Sequence, residues 1–457
     1  MLNKMPQIYK KHLKKVNKCR IIVMRSKKEF VMNYKKRIVD KQLDLKLESF
    51  GATLIIGPKG CGKTTSAKQK AKSIVEFQDE EQRDNLLAVA NTAPSKLLIG
   101  ETPRLFDEWQ DAPKLWGTIR KAVDDSGQNG LYILTESSSK DTKKPHTGTL
   151  RISQLKMYPM SLFESEESNG SVSLSDLLDH PEHFEGCISD LTIDDIIFAI
   201  CRGGWPKSFL NKTVRSKMEI AKDLFRQTYS VDISNIDEFK RNPHWAQAIL
   251  RSYSRNICTL AETKTIYGDV RANYDISLPT FYDYVHALEK LYIIEDIPAW
   301  CPAIRSKTVI RSSEKRNLID PSIAVAAMGL SPEYFNTDFK TLGFLFKSLC
   351  LRDLKIYSSS LDGDMNYYRD RYGLEADGVL HLSDGRYALI EFKLGEHEIE
   401  EGAKHLNRIE SLIEKYNETE RQCPIRHPDL KMIITGTKYG YRRDDGVLVV
   451  PIGCLKD

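Results

Sequence analysis

The sequence has no long hydrophobic run. No apolar stretch approaches the roughly 18 residues of a membrane span, so no membrane is expected as a partner. It has no C-x-x-C pair. Its nine cysteines are scattered, which indicates neither a zinc site nor a disulfide framework and fits a reducing, cytoplasmic setting. It has no internal repeat, and the apolar patch Ile21-Ile22-Val23-Met24 is too short for a signal-peptide core. It has little net charge, with 68 Lys and Arg against 63 Asp and Glu, but that balance is uneven. Residues 1–31 hold ten Lys or Arg against Glu29 alone, so this stretch carries +9 and the rest of the chain −4. Such a tail suits nucleic acid or an anionic surface, unless the true start is Met24 or Met32. The remaining composition is that of an ordinary globular chain of 457 residues, which predicts two to four domains.

What is present begins at Gly57-Pro58-Lys59-Gly60-Cys61-Gly62-Lys63-Thr64-Thr65, directly after the apolar run Thr53-Leu54-Ile55-Ile56. This is G-x-x-x-x-G-K-[ST] fed by a strand, the context in which the motif carries meaning. Glycines let the backbone curl so that successive N–H groups point inward and cradle phosphates at a helix N-terminus. Lys63 reaches the β- and γ-phosphates, and Thr64 ligates Mg²⁺. The expected ligands are therefore ATP, or another nucleoside triphosphate, and Mg²⁺. Ala67, Ala71, Ile74 and Val75 predict a helix over Ser66–Phe77.

Leu97-Leu98-Ile99, Arg104-Leu105-Phe106 and Leu131–Leu134 read as buried strands between helices, the pattern of a parallel α/β sheet. Asp107 and Glu108 end the second of these. Asp107 is expected to hold the metal shell and Glu108 to act as general base on the attacking water. Thr135 and Ser137 end the third and are candidates to sense the γ-phosphate. Arg151 is a candidate transition-state arginine. Residues 165–180, rich in serine and acid, predict an exposed excursion, and Gly203-Gly204-Trp205-Pro206 a helix stop.

Residues 207–335 are mostly helical by pattern. Ser277 caps a helix that runs through Phe281, Tyr284, Val285 and Leu288, followed by Ile293-Ile294 and the basic run Arg305, Lys307, Arg311, Lys315 and Arg316. This is the layout of a winged helix, with Tyr282, His286 and Lys290 offered to bases. It predicts duplex binding that weakens with salt, although a winged helix used only for packing fits the same pattern. In residues 336–457, a Ser383-Asp384-Gly385 turn joins two alternating runs into a hairpin. Asp377 lies in its first strand. Glu391 and Lys393 share one face of its second. Asp377 and Glu391 can hold Mg²⁺ and orient a hydrolytic water, the D…E-x-K signature of restriction-endonuclease-like cores.

The motifs GPKGCGKTT, PRLFDEWQDAPKLW, YPMSLFES, ICRGGWP, YDYVHALEKLYIIEDIPAW, LIDPSIA, YYRDRYGLEADGV and ALIEFKLG recur in this order. From Met32 onward the chain resembles the bacterial and archaeal AAA+-superfamily ATPases that carry a C-terminal uncharacterised domain. The resemblance implies an α/β chain: a P-loop AAA+-like parallel sheet over 32–206, a helical winged-helix domain over 207–335 and a PD-(D/E)xK-like α/β core over 336–457. Residues 1–31 remain outside it as a basic extension. It implies ATP bound through Gly57–Thr65, hydrolysis through Asp107 and Glu108, and a nuclease-like site at Asp377, Glu391 and Lys393. DNA and a protein are the further partners it suggests, and it leaves oligomerisation open. Three positions depart from the family pattern. Glu136 stands where it has glycine, placing a carboxylate near the nucleotide. Leu150 stands where it has the glycine of G-R-I. Lys347 stands where it has the glutamate of L-F-E, which opposes metal binding and cleavage in the C-terminal core.

Overall fold

The computed structural model describes residues 34–138, 148–237, 239–302, 313–419 and 424–457. After helix α1 (Val39–Ser49), strand β1 (Ala52–Ile56) is buried at every position and runs into the glycine loop and helix α2 (Lys63–Lys70). Strand β2 (Ser73–Glu76), helix α3 (Arg83–Thr92), strand β3 (Arg104–Asp107), helix α4 (Lys114–Ser126), strand β4 (Tyr132–Glu136) and strand β5 (Ile152–Lys156) follow. The sheet is parallel, in the order β2-β3-β4-β1-β5. β1 is therefore central, and its C-terminal edge places the glycine loop beside the ends of β3 and β4.

Two expectations fail here. The helix predicted over Ser66–Phe77 stops at Lys70, and Ser73–Glu76 forms β2 beside β3. Ala67, Ala71, Ile74 and Val75 fit a helical period, but Ile74 and Val75 are β-branched, and burial alternates at Ser73 and Val75. The strand predicted at Leu97–Ile99 is instead a 3₁₀ turn, Pro94–Leu98, and Ile99 is exposed.

The excursion predicted over 165–180 is exposed in part only: Glu166, Asp176 and Asp179 face outward, while its apolar residues pack inward. Ser165, Ser168, Leu174, Leu177 and Leu178 are buried. Glu167 makes a paired contact with Arg202, at 2.6 and 2.8 Å. Strand β6 (Val172–Ser173), helix α5 (Leu174–Asp179) and strand β7 (Gly186–Ile188) occupy this stretch. The helices α6 (Ile193–Arg202), α7 (Pro206–Leu210), α8 (Val214–Ser230), α9 (Pro243–Arg255), α10 (Thr263–Arg271), α11 (Leu278–Lys290) and α12 (Pro321–Met328) come next. Gly203 ends α6 at φ 75°, and the Ser277 side chain caps α11. Short antiparallel bridges join Ile294 to Leu318 and Ile297 to Lys315. Arg305, Lys307 and Arg311 lie outside the described residues.

The last part holds helix α13 (Phe339–Ser359), strands β8 (Gly363–Arg369), β9 (Glu375–Leu382) and β10 (Tyr387–Lys393), helix α14 (Ile399–Thr419) and strands β11 (Leu430–Thr435), β12 (Tyr439–Arg442), β13 (Leu448–Pro451) and β14 (Leu455–Lys456). β8, β9 and β10 are antiparallel neighbours, while β10 and β11 run parallel with α14 as their crossover. The sheet order is β7-β12-β13-β11-β10-β9-β8. β7, more than 170 residues upstream of the other strands, thus closes one edge, and β6 pairs with β14. A continuous apolar core runs from Leu162 through α6–α13 to Leu455. Glu295 pairs with Lys156 at the end of β5 and, at 2.9 Å, with Lys355 of α13.

Candidate nucleotide site and C-terminal carboxylate cluster

The loop curls because glycine occupies its positive-φ positions: Gly60 at 81° and Gly62 at 106°. Gly57 is excluded from substitution by space as well, since a Cβ there would sit 2.2 Å from the Met157 carbonyl. Lys63 is buried and donates to the Gly57 and Pro58 carbonyls at 2.9 and 2.8 Å. The Thr64 hydroxyl donates to Asp107 Oδ1 at 2.6 Å, and the Thr135 hydroxyl donates to the same oxygen at 2.7 Å. The Glu108 N–H returns to Thr135 Oγ1 at 3.0 Å. Residues from two parallel strands and one helix thus meet at one carboxylate. Thr64 and Asp107 present hard oxygen donors side by side, which fits Mg²⁺.

Glu108 has φ 55°, a left-handed backbone outside β3. Its carboxylate accepts from Ser137 at 2.7 Å and from Gln110. Arg37, not singled out from the sequence, is buried and braces the loop from behind. It donates to the Cys61 and Tyr158 carbonyls at 2.9 Å each and pairs with Glu164 at 3.0 Å. No motif flags an arginine twenty residues upstream of the loop. Pro58 and Cys61 are buried, whereas Lys59 and Thr65 point outward.

Two candidates are not brought to this site. β1 and β5 are parallel with Ala52 opposite Ile152, so Arg151 precedes β5 at the sheet edge opposite the loop. Five strand residues separate the two edges, about 16 Å. Arg151 pairs there with Asp124 at 2.7 Å, and it is not a transition-state arginine of its own chain's loop. Glu136 follows Thr135 on the strand, so it points to the opposite face. It is buried and accepts from the Trp109 indole at 3.1 Å. Its carboxylate is therefore engaged by the core and not presented to the nucleotide.

In the C-terminal sheet, Asp377 of β9 and Glu391 of β10 are both nearly fully buried. Asp377 accepts the Phe392 N–H at 3.2 Å. Lys347 of α13 donates to Asp377 at 2.6 Å, and Lys315 lies 3.6 Å from it. Burial opposes ionisation of Asp377, but Lys347 and then Lys315 outweigh it, and the carboxyl is held down at about 2. Glu391 lies 3.1 Å from Lys393 Nζ and 3.7 Å from His405 Nδ1. Burial, reinforced by the Asp377 charge, raises its pKa. The position a divalent ion would take against Asp377 is met by the Lys347 ammonium, so these residues do not fit a metal as they stand.

The contact with the Glu391 carboxylate raises the His405 pKa. A raised folded pKa means that this pair adds stability below the ordinary histidine range, which is lost as pH rises through the folded value. NMR titration of His405 is expected to give a pKa above 6.5 that falls in Glu391→Gln. An ordinary value unchanged by that substitution would remove the contact. Lys315 is 98% buried on its side chain and pairs with Glu375 at 2.5 Å, and Arg316 pairs with Asp296 at 2.5 Å. These two members of the basic run therefore point inward and form no surface for phosphates. On α11, Tyr282 and His286 are exposed, but so are Asp283 and Glu289, which repel a nucleic-acid backbone.

Residues 49–166 match the family described as an AAA domain. Residues 193–334 and 342–455 match two families described as domains of unknown function, DUF8612 and DUF4143. No curated protein matches. Similar solved structures include the Walker-type ATPase PABY2304 of Pyrococcus abyssi, 13% identical, covering 65% of this chain and 99% of that one with a TM-score of 0.40. They also include the ORC2 protein of Aeropyrum pernix in ADPNP–ADP complexes, 13% identical, covering 67% and 97% with a TM-score of 0.32. A Thermotoga maritima RuvB variant is 17% identical, covering 57% and 89% with a TM-score of 0.26. The AAA match gives the chain an AAA-type, nucleotide-binding ATPase domain. Among the described residues no helix is long and apolar enough to cross a membrane.

Proposed function

We propose that the chain is an AAA+-type cytoplasmic ATPase that works as a nucleotide-dependent switch, with a C-terminal core that engages a partner without cleaving it. The observation that carries the ATPase reading is the convergence of Thr64 and Thr135 on Asp107, with Glu108 beside them. The loop N–H groups bind the phosphates and Lys63 the β- and γ-oxygens. Thr64 and Asp107 would hold Mg²⁺, which neutralises phosphate charge when bound. Thr135 fixes Asp107, and Glu108 accepts the proton of the attacking water.

The order α13-β8-β9-β10-α14-β11, with Asp377 on β9 and Glu391-x-Lys393 on β10, supports a restriction-endonuclease-like reading of the core. Lys347 on Asp377 favours binding without cleavage over a nuclease. The inward Lys315 and Arg316 likewise weigh against the winged helix as a duplex reader. ATP turnover measured with and without duplex DNA, together with a nuclease assay in Mg²⁺ and Mn²⁺, tests the whole. No turnover sinks the ATPase reading. Metal-dependent cleavage that is lost in Asp377→Ala sinks the non-cleaving one.

Lys347→Glu gives a sharper result. It puts a third carboxylate beside Asp377 and Glu391, so the variant is expected to melt lower than the parent in EDTA and to recover with Mn²⁺. Saturation at 100 times Kd would return about 2.7 kcal/mol. The parent chain is expected to show no Mn²⁺-dependent shift from this cluster. Equal shifts in both proteins would show that Lys347 does not exclude the metal.

A further inference from the structure

Three side chains of the phosphate loop are engaged by the loop, the neighbouring strand end or its metal partner. Lys63 is held by the Gly57 and Pro58 carbonyls, Cys61 is buried against Met157, and Thr64 is on Asp107. Lys59 differs. It leaves the loop, stays 61% exposed, and pairs at 3.2 Å with Asp232 in the turn after α8. Its side chain also lines a cavity of about 150 Å³ whose other walls include Glu108, Gln110, Ser137 and Leu224. Among the described residues lining that cavity, Lys59 is the only cation, and the same cavity is lined by Glu108, the carboxylate assigned to the attacking water.

Hydrolysis needs positive charge there. In phosphoryl transfer, charge is spread over the γ-oxygens and the leaving oxygen, and an additional cation lowers the barrier. Arg151 is at the opposite edge of the sheet and cannot supply it. We propose that Lys59 is a catalytic residue whose ammonium exchanges Asp232 for the γ-phosphoryl oxygens of ATP; this rests on the ATPase reading above. The water oxygen attacks the γ-phosphorus and forms the new O–P bond. The bond from that phosphorus to the β–γ bridging oxygen breaks, and its electron pair leaves with ADP. The water proton passes to Glu108. Lys59 keeps its own proton throughout and acts by charge alone.

The exchange is cheap because the Lys59 end of the pair is solvated, which weakens the pair, and phosphate offers more negative charge than one carboxylate. Asp232 follows α8, so the helical region holds the competing anion. Leu224 of the same helix lies 3.6 Å from the point where a Cβ on Gly60 would stand. A shift of α8 relative to the loop would therefore change how freely Lys59 reaches ATP.

The test compares the full chain with Lys59→Ala and Asp232→Ala, reading kcat and KM for ATP and the affinities for ADP and for ADP with aluminium fluoride. Lys59→Ala is expected to lower kcat about 100-fold, the usual loss for one transition-state donor. It should leave ADP affinity unchanged and weaken the aluminium fluoride complex. Asp232→Ala, which frees the ammonium, is expected to raise kcat. An unchanged kcat in Lys59→Ala overturns the proposal. Equal losses in both variants also overturn it, since Lys59 would then be only one half of an interdomain latch. If the parent chain turns over no ATP, the ATPase reading fails. The aluminium fluoride affinities still decide the role of Lys59, because equal values in parent and Lys59→Ala exclude it.

Discussion

Glu108→Gln is expected to lower kcat for ATP hydrolysis by about 100- to 10,000-fold while ATP still binds. The range is that of a single general base. The substitution keeps the shape of the side chain and its contacts with Ser137 and Gln110 but removes the group that takes the proton. The backbone supports the assignment. Glu108 holds a left-handed φ of 55°, a conformation that costs a non-glycine residue on the order of 1–3 kcal/mol and survives only where its surroundings impose it. Here the N–H is tied to Thr135, so the carboxylate is aimed by the same hydroxyl that positions Asp107. Lys63→Ala is expected to differ in kind. It removes the ammonium that meets the phosphates, so ATP affinity itself should fall. Calorimetric titration with ATP separates binding from turnover, and a phosphate-release assay measures the latter. Turnover in Glu108→Gln equal to that of the parent would sink the base assignment.

The largest effect on stability is expected from Arg352→Ala. This arginine on α13 is almost wholly buried, as are its partners Asp320 at 2.9 Å and Asp353 at 2.7 Å. Asp320 also accepts from the Gly204 N–H and caps α12, and Asp353 accepts from the Leu162 N–H. One guanidinium therefore balances two carboxylates that tie the segments after β5 and α6 to the C-terminal part. Removing it leaves both charges buried and uncompensated, at a cost of about 3–5 kcal/mol. Burial already raises the Asp353 pKa despite the arginine beside it, which shows how little margin the cluster has. Denaturant unfolding measures the loss. Adding Asp320→Asn and Asp353→Asn to Arg352→Met should recover part of it, because the unpaired charges go too. A loss below about 1 kcal/mol in Arg352→Ala would mean that water or rearrangement relieves the carboxylates, contrary to the packing described.

The sequence by itself determined the phosphate loop, the Asp107–Glu108 pair, the cap at Ser277 and the strand that carries Glu391 and Lys393. Each depends on residues adjacent in the chain, where glycine conformation, capping and the period of two act without reference to distant segments. The expectation that Lys347 opposes a metal was also legible as a departure from a pattern, but its 2.6 Å contact with Asp377 was not. Only the tertiary structure decided the rest. β2 is a strand because β3 offers it an edge, although its apolar spacing also fits a helix. Arg151 is excluded because parallel pairing sends it to the far edge of the sheet. Lys315 and Arg316 read as surface cations until Glu375, Asp377 and Asp296 are found facing them. Lys59 meets Asp232 across 173 residues. Such pairings hold because burial makes an unpaired charge or strand edge costly, and which partner meets that demand is set by how the chain is routed.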